Sequence, residues 1–278
     1  MRALDAILAV VWAPRCAACD DPLDAPTRGA VCGACWRRLP AIAAPVCDRC
    51  GVAVAAGDTR ADSRCSNCRR TGGPPTARRA AGVHAGTLRA IVHAFKYDGR
   101  RSLARPLAQR MQDAGGDWLH DADVAVPVPL HAYRRWRRGF NQAADLAAHL
   151  GVPVVHALRR TRHTGRQVEL SRAARLEALG GAFSLARRGG RRPAAAAVRG
   201  RSVLLVDDVI TTGATVEACA AVLRSAGARQ VRALSAALAV AAQSQPPSPR
   251  QRRPAPVRRR CAPSPARRPD GGSCPEPA

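Results

Sequence analysis

The chain has 278 residues, enough for one large domain or for one medium domain with attachments, and its uneven composition favours attachments. Its formal net charge of +25 attracts polyanions such as nucleic acid, pyrophosphate or acidic lipid, without indicating which of them binds. Residues 241–278 contribute only +6 of this charge, from eight arginines against Asp270 and Glu276. No apolar stretch is long enough to cross a bilayer as a helix, so we expect no membrane span.

The first twelve residues place four apolar side chains at helical spacing, which predicts an amphipathic helix: Leu4, Ile7, Leu8 and Val11. A secretory signal is the alternative interpretation. However, Asp5 interrupts the apolar run, no small-x-small cleavage site follows, and Pro14-Arg15-Cys16 is not a lipoprotein box. We therefore expect a soluble, cytoplasmic protein.

Eight of the eleven cysteines form four Cys-x-x-Cys pairs: Cys16/Cys19, Cys32/Cys35, Cys47/Cys50 and Cys65/Cys68. Two thiolates at this spacing bind one metal from a tight turn, and two such pairs complete a tetrahedral zinc site. Sequential pairing predicts two tandem zinc ribbons within residues 1–70, each with one structural Zn²⁺. A disulfide framework is the alternative, but it needs an oxidising compartment, which the missing signal peptide argues against.

The role of the ribbons stays open at this point, because zinc ribbons bind DNA, bind protein, or hold together a small domain that lacks a core. We take the structural role as the default. Of the other cysteines, Cys219 is expected to be a small buried apolar side chain, and Cys261 and Cys274 lie in the C-terminal segment.

Residues 71–80 are predicted to be a linker, because they begin with Thr-Gly-Gly-Pro-Pro. Helical spacing then resumes, and a second helix over residues 101–114 ends at Gly115-Gly116. The apolar face of the first of these helices consists of Leu88, Ile91, Val92 and Phe95. Residues 124–129 predict an apolar strand that runs into a rigid turn, because the prolines cannot continue a central strand.

Two basic features of the middle region are candidate binding elements. Lys96 is the one lysine beside 44 arginines, and a compact ammonium is not freely replaced by a guanidinium; the alternative is a surface lysine that persisted by chance. A basic cluster surrounds Trp136 and consists of Arg134, Arg135, Arg137 and Arg138. It could bind pyrophosphate or nucleic acid, and the alternative interpretation is a solvated basic turn. A helix is predicted to start directly after it, at Gly139–Gln142.

Four segments are predicted between this helix and the next informative stretch. Residues 152–155 are predicted to be a strand, and residues 158–176, rich in Arg and Thr, a mobile lid. A short strand is expected over residues 180–185, and residues 189–200 are interpreted as an Arg/Ala-rich loop.

Residues 203–215 are the most informative stretch of the chain. Val203–Val206 is short and β-branched enough to predict a strand buried on both faces of a parallel sheet. Asp207 and Asp208 are then expected at its carboxyl end, where open α/β sheets bind ligands. A helix over residues 216–225, closed by Gly227, is predicted to follow. The turn between the strand and this helix suits an anion, and it consists of Thr211, Thr212, Gly213, Ala214 and Thr215.

A phosphate beside two carboxylates needs another group between them, and a sugar phosphate meets this need. The loop would hold the phosphate while the acids accept hydrogen bonds from ring hydroxyls. The stretch is not a Walker loop, because no Gly-Lys-Ser/Thr follows. The alternative is an ordinary strand end with an Asp-capped helix, but capping needs one Asp and no Thr-rich loop.

Residues 203–215 resemble the 5-phosphoribosyl-1-pyrophosphate (PRPP) signature of the type I phosphoribosyltransferases. The chain from the first cysteine pair to about Val240 resembles the ComF family of competence-associated proteins, also called ComF/GntX. Glu177 departs from the family pattern, which commonly has Asn before Gly-x-Phe. The motifs that carry the resemblance are the double zinc ribbon, Phe95-Lys96-Tyr97-x-Gly99, Val126-Pro127-Val128-Pro129, Arg138-Gly139-Phe140-Asn141-Gln142, Gln167-x-x-Leu170 and Val206-Asp207-Asp208-Val209-x-Thr211-Thr212-Gly213-Ala214-Thr215.

Alternating strands and helices predict an α/β protein with a parallel sheet. The resemblance implies the type I phosphoribosyltransferase fold over residues 81–240, after the double zinc ribbon. Residues 241–278 depart from the family pattern and are expected to be a disordered tail, because they are rich in Pro, Arg and Ser and lack periodic apolar residues. It also implies binding of PRPP, or a ligand like ribose 5-phosphate, together with Mg²⁺. Asp207 and Asp208 would favour a sugar cation, and the loop from Thr211 would anchor the 5-phosphate. Candidates for the pyrophosphate are Lys96, Arg138, Pro127 and Val128.

The resemblance further implies a role in natural competence or DNA uptake, with phosphoribosyl transfer to an unknown acceptor. The fold alone does not establish catalysis. The alternative is a non-catalytic adaptor that binds single-stranded DNA beside a helicase-like DNA-uptake protein. The acidic pair and the Thr-rich loop favour ligand binding, whereas the net charge of +25 and the two ribbons favour DNA.

Overall fold

The structure is a computed structural model that describes residue 5 and residues 13–54, 63–130, 139–161, 181–188 and 192–240. Several expectations lie outside these residues. They are the N-terminal helix apart from Asp5, the basic cluster with Arg138, most of the lid including Gln167 and Glu177, and the tail after residue 240.

Seven helices and eight strands are found in the described ranges. The helices are α1 (Gly33–Arg37), α2 (Ser66–Thr71), α3 (Gly86–Tyr97), α4 (Ala104–Gly115), α5 (Asp117–His120), α6 (Gln142–Ala147) and α7 (Ala214–Ser225). The strands are β1 (Arg78–Ala80), β2 (Val124–Pro127), β3 (Leu158–Arg160), β4 (Phe183–Leu185), β5 (Arg187–Arg188), β6 (Arg192–Pro193), β7 (Ser202–Ile210) and β8 (Gln230–Leu238).

The centre of the fold is a four-stranded parallel sheet in the order β1-β8-β7-β2. β7, α7 and β8 form a βαβ unit in which two neighbouring parallel strands are joined by a helix, as parallel pairing requires. This arrangement confirms the predicted α/β class with a parallel sheet. Because all four strands run the same way, their carboxyl ends share one edge, where β7 ends and α7 begins.

Side chains of β7 alternate between two apolar layers, as the period of a strand dictates. Leu204 and Val206 belong to the layer that contains α3 and α4, whereas Val203 and Leu205 belong to the layer that contains α7. All four are buried, which confirms the expectation of a strand buried on both faces. Each such side chain contributes roughly 1.5–3 kcal/mol of hydrophobic stabilisation.

β7 is longer than the sequence predicts. The apolar run ends at Val206, but Asp207 pairs with Ser235 and Ile210 pairs with Leu238, so both carboxylates lie inside the strand. The expectation that they follow the strand was wrong, because pairing is a property of the backbone and continues where the hydrophobic pattern stops.

The expected linker contains an edge strand. Arg78 pairs with Ala233 and Ala80 with Ser235, so β1 lies within the range that the sequence assigned to a linker. Thr76, two residues earlier, is fully buried. A three-residue strand that begins with two arginines has no alternation of apolar residues, which is why its pattern gave no signal.

Three further segments differ from expectation. The strand predicted over residues 152–155 is reduced to one parallel bridge between Val154 and Ala125, because the Ala157 amide donates to the carbonyl of Val155 and turns the chain. The start of the expected lid forms β3, which pairs with β4 in an antiparallel hairpin. The expected loop over residues 189–200 contains β6 and a 3₁₀ turn. The short strand near residue 185 is confirmed as β4.

Each cysteine-rich segment forms a small ribbon beside this sheet. The first has a bridge between Arg15 and Pro22, and the second has an equivalent bridge between Val46 and Ala53. Cys16 and Cys35 of the first ribbon are part of the same buried cluster as α3 and α4. Among the described helices, none combines the length and apolarity needed to cross a bilayer.

Candidate functional site

The candidate site lies at the carboxyl edge of the sheet, where β2 ends beside the last part of β7. Pro127 pairs with Val206, and the Val128 amide donates to the Val206 carbonyl at 2.9 Å. Asn141 fixes the turn after β2, because its side-chain amide donates to the Val128 carbonyl at 3.1 Å. The oxygen of the same side chain accepts from the Ala143 amide and caps α6. Two quoted motifs, Val126–Pro129 and the one ending in Asn141-Gln142, therefore meet at one point.

Lys96 reaches the same edge from the last turn of α3. Its Nζ lies 2.9 Å from Oδ1 of Asp208, and the two side chains are only 18% and 13% exposed. Phe95, which is 1% exposed, anchors this turn of the helix in the core. Removing one partner of such a poorly solvated pair leaves the other charge uncompensated. The one lysine of the sequence is therefore held against one of the two predicted carboxylates.

Asp207 and Asp208 have different environments. Burial raises the pKa of Asp207 to about 7, and the negative charge of Asp208 acts in the same direction, whereas Lys96 opposes it. The Asp208 amide donates to Oδ1 of Asp207 at 2.9 Å. Near neutral pH one carboxylate is thus paired with an ammonium, while the other can gain or lose a proton. The oxygens of both carboxylates are suited to accept hydrogen bonds from hydroxyl groups.

The loop between β7 and α7 is turned tightly around Gly213. This residue has φ +81°, in the left-handed region that favours glycine, and α7 starts directly after it. The Thr212 hydroxyl oxygen accepts from the Ala214 amide at 3.4 Å. Residues 207–216, apart from Asp208, surround a narrow cleft of about 30 Å³. Free amides at a helix N-terminus attract anions, so the loop offers donors to a phosphate-sized group.

A second, larger pocket of about 240 Å³ adjoins this cleft, and the two share Asp207, Val209 and Thr215. It joins the lysine, both carboxylates and the turn after β2 in one cavity. Its lining is Lys96, Tyr97, Val128, Pro129, Leu130, Asn141, Ala143, Arg160, Asp207, Asp208, Val209 and Thr215.

The structure thus brings together most of the predicted site residues. Lys96, Val128, Asp207 and Asp208 line the larger pocket, and Thr211–Thr215 lines the cleft. Pro127 lies in β2 beside β7. Arg138 is outside the described residues, so its place in the site is untested.

Sequence reasoning missed two basic residues near the carboxylates. Arg160, at the end of β3, lines the pocket, lies over the ring of Phe183 at 5.4 Å, and lowers the pKa of Asp207 by its charge. The pKa of His84 is lowered by burial and by the charges of Lys96 and Arg89. Arg160 stands in an arginine-rich stretch and His84 in a loop, so neither had a pattern that could have singled it out.

The two cysteine groups have the composition and spacing of zinc sites. In each group the four sulfur atoms lie within 4.8 Å of one another: Cys16, Cys19, Cys32 and Cys35 in the first, and Cys47, Cys50, Cys65 and Cys68 in the second. Cys32 and Cys65 each cap a short helix through their sulfur, which accepts from the amide three residues later. Four thiolates fit a closed tetrahedral site, which is typical of structural rather than catalytic zinc.

Comparison with known proteins gives matches to both parts of the chain. A double zinc ribbon domain model matches residues 7–72, and a phosphoribosyl transferase domain model matches residues 136–252. A solved structure of the allosteric regulatory enzyme of purine biosynthesis is 24% identical, with a TM-score of 0.34, and covers 52% of this chain and 30% of that one. At these values the structural likeness carries no argument about function.

Two relatives resemble the chain over most of its length. Competence protein F of Haemophilus influenzae is 31% identical over 78% of this chain and 94% of that protein. DNA utilization protein YhgH of Escherichia coli K12 is 32% identical over 67% of this chain and 81% of that protein. With the zinc-ribbon match, the phosphoribosyl transferase match and the parallel sheet, these relatives show that the chain belongs to the ComF family of competence and DNA utilization proteins, with an N-terminal double zinc ribbon and a phosphoribosyltransferase-like domain.

Proposed function

We propose that the chain binds PRPP with Mg²⁺ at the carboxyl edge of its sheet and transfers the phosphoribosyl group to an acceptor. The observation that carries this proposal is that two cavities of different chemistry share Asp207, Val209 and Thr215 in their linings. A cleft at a helix N-terminus suits a phosphate, and the pocket beside it presents Asp207, Asp208 and Lys96. A ligand that carries phosphate at one end and hydroxyls next to it matches both.

In this account, amides and hydroxyls of Thr211–Thr215 hold the 5-phosphate, and Asp207 and Asp208 accept hydrogen bonds from the ribose hydroxyls. Lys96 and the turn at Pro127-Val128 bind the pyrophosphate, and Arg138 stays a further candidate for it. Mg²⁺ prefers oxygen ligands, and when bound with the pyrophosphate it would neutralise part of the charge of that group. The carboxylates could also bind it directly or through water.

The transfer step breaks the bond between C1 of the ribose and the pyrophosphate oxygen and forms a bond from C1 to the acceptor nucleophile. The bonding electrons leave with the pyrophosphate, and the acceptor gives up a proton. Positive charge develops on the sugar, so the carboxylates of Asp207 and Asp208 favour the transition state electrostatically. We assign the acceptance of this proton to ionised Asp207, because its pKa lies at about 7.

We further propose that this activity serves DNA uptake or use in the cytoplasm, because the two relatives bear the names Competence protein F and DNA utilization protein. A second candidate function, a single-stranded DNA-binding adaptor with a helicase-like partner, is favoured by the net charge of +25. The two functions are compatible, since the ligand pocket occupies only one edge of the sheet.

The test is calorimetric titration of PRPP with Mg²⁺ into the zinc-loaded protein and into Asp207→Asn/Asp208→Asn. Hydrogen bonds to charged groups contribute roughly 1.5–3 kcal/mol each, so the double variant should bind on the order of 100-fold more weakly. Asp121→Asn is the matched control, because this exposed carboxylate pairs with Arg232 and lies outside the pocket. Equal affinity of all three proteins, or no binding by the wild type, contradicts the proposal.

Single-stranded DNA binding is measured on the same proteins at increasing salt. Phosphate contacts predict a steep loss of affinity with salt that is the same in the wild type and in Asp207→Asn/Asp208→Asn. DNA binding without any PRPP binding would favour the adaptor over the enzyme.

A further inference from the structure

A buried arginine lies directly behind the candidate phosphate loop. Arg78, the first residue of β1, is only 6% exposed. A Cβ atom placed on Gly213 would clash with Nη1 of Arg78 and lie 3.0 Å from its Cζ, so the guanidinium occupies the space that a larger residue in the loop would need. Gly213 therefore serves the loop in two ways, through its positive φ and through the room that it leaves for a cation.

The backbone of Arg78 is held by the second zinc ribbon. Its amide donates to the Arg49 carbonyl at 3.1 Å, and its carbonyl oxygen lies 2.5 Å from the position that a Cβ on Gly51 would take. Arg49 and Gly51 flank Cys50, one of the four cysteines of that ribbon. The metal-binding turn thus contacts one end of Arg78, and the phosphate loop contacts the other.

The same segment also holds the first turn of α7. The Thr76 hydroxyl donates to Oε2 of Glu217 at 2.6 Å, the Thr76 amide donates to Oε1 at 3.2 Å, and both residues are buried. The Glu217 amide in turn donates to the Gly213 carbonyl at 2.9 Å. Displacing residues 76–78 would therefore move the loop through a buried carboxylate as well as through the guanidinium.

We propose that Arg78 is a positioning residue that couples the second zinc site to the phosphate loop. It places a fixed positive charge behind the loop and transmits the position of the Cys47–Gly51 turn to Gly213. If Arg78 carries the coupling, loss of zinc from the second site releases this turn and weakens anion binding at the loop. This inference rests on the proposed PRPP site.

The first experiment compares Arg78→Met, which keeps much of the length but removes the charge, with Arg78→Lys, which keeps a charge without the planar fork. PRPP with Mg²⁺ is titrated into both variants and the wild type, and unfolding in urea is measured in parallel. Because a charge close to a poorly solvated site interacts strongly, we expect the Kd to rise on the order of tenfold in Arg78→Met and less in Arg78→Lys. A purely structural role would lower the unfolding midpoint without changing the affinity of the folded protein.

The second experiment removes one metal site at a time. Cys65→Ser/Cys68→Ser disrupts the second site, and Cys32→Ser/Cys35→Ser is its counterpart in the first, since Cys32 and Cys65 cap α1 and α2 in the same way. Zinc content is determined for each protein. We expect the second-site variant to bind PRPP more weakly than the first-site variant. In the Arg78→Met background, loss of the second site should cause little additional loss of affinity.

Amide hydrogen exchange of the peptide that contains Gly213–Thr215 gives a readout that needs no ligand. Exchange should quicken in Arg78→Met and in Cys65→Ser/Cys68→Ser, and stay as in the wild type in Cys32→Ser/Cys35→Ser. Unchanged exchange and affinity in Arg78→Met would overturn the coupling, as would equal effects of the two zinc-site variants. If the wild type binds no PRPP, the proposed function fails, and the exchange rates alone decide the coupling.

Discussion

The two adjacent carboxylates of β7 have different neighbours. Asp208 has the Lys96 ammonium at 2.9 Å. The carboxyl of Asp207 is partly shielded from solvent and lies next to a second negative charge, and both effects raise its pKa to about 7. A single strand thus supplies one carboxylate that is paired with an ammonium and one that titrates near neutrality.

The raised pKa of Asp207 predicts a pH dependence of folding. In the unfolded chain this group ionises near pH 4, whereas in the folded protein it keeps its proton until about pH 7. The folded state therefore binds more protons between these values, so its stability is highest below pH 4 with respect to this group and falls as the pH rises towards 7. Asp207→Asn should remove this dependence and raise the free energy of unfolding at pH 8 by on the order of 1–3 kcal/mol.

This is measured by urea unfolding at pH 5.5 and pH 8 in the wild type, Asp207→Asn and the surface control Asp121→Asn. A difference between the two pH values that persists unchanged in Asp207→Asn would show that another group titrates in this range.

The turn that starts α7 depends on a glycine for two separate reasons, and a matched substitution in the turn that follows the same helix separates them. Gly213 and Gly227 both have positive φ, +81° and +90°, but only the first lies against the Arg78 guanidinium. Gly227→Ala should cost about 1 kcal/mol from backbone strain, with a small addition because its Cβ would lie 3.3 Å from Cγ of the Arg199 side chain. Gly213→Ala should cost more, because the guanidinium must also move, and should weaken PRPP binding.

Urea unfolding and titration of PRPP with Mg²⁺ into both variants check this pair. If Gly213→Ala and Gly227→Ala lose equal stability and both keep wild-type affinity, Gly213 has no role beyond its dihedral angle.

Elements that carry their own apolar pattern could be predicted from the sequence. The core of β7, α3 with its face at Leu88 and Phe95, and α7 fall where their periodicity places them. β1 could not be predicted, because its pairing with β8 fixes a segment of three residues that has no pattern of its own. The continuation of β7 through Asp207 to Ile210 was missed for the same reason, since pairing with β8 is invisible in one strand's sequence.

The candidate site could be predicted in part. The acidic pair, the Thr-rich loop and Lys96 were singled out because each is an unusual residue or cluster in its local context. Arg78 and Arg160 were not, because they are two among 44 arginines and become distinct only by their burial and position. In an arginine-rich chain, the sequence does not distinguish the arginines of a site from those of the surface, and only their burial and position in the fold do so.

At the scale of the whole molecule, the zinc ribbons and the sheet share packing. Cys16, Leu23, Val31 and Cys35 of the first ribbon belong to the buried cluster of α3 and α4. Val52 of the second ribbon packs against the cluster that contains α7. The ribbons therefore complete the two apolar layers rather than lying apart from them.

This shared packing predicts that zinc removal destabilises the sheet as well as the ribbons. A loss of roughly 3 kcal/mol would lower the unfolding temperature by roughly 6–12 °C for a domain of this size. Differential scanning calorimetry with and without a strong chelator, followed by near-UV circular dichroism, measures the change. A main transition that stays at the same temperature after complete zinc loss would show that the ribbons are energetically independent.

The central claim is that one edge of the sheet holds a sugar phosphate, with its phosphate in the loop and its hydroxyls at the carboxylates. The most direct measurement is a crystal structure of the zinc-loaded protein grown with PRPP and Mg²⁺. The account predicts the 5-phosphate within hydrogen-bonding distance of the amides of Gly213–Thr215, and the ribose hydroxyls beside Asp207 and Asp208. A structure at saturating PRPP with this edge empty, or with the ligand bound elsewhere, would contradict it.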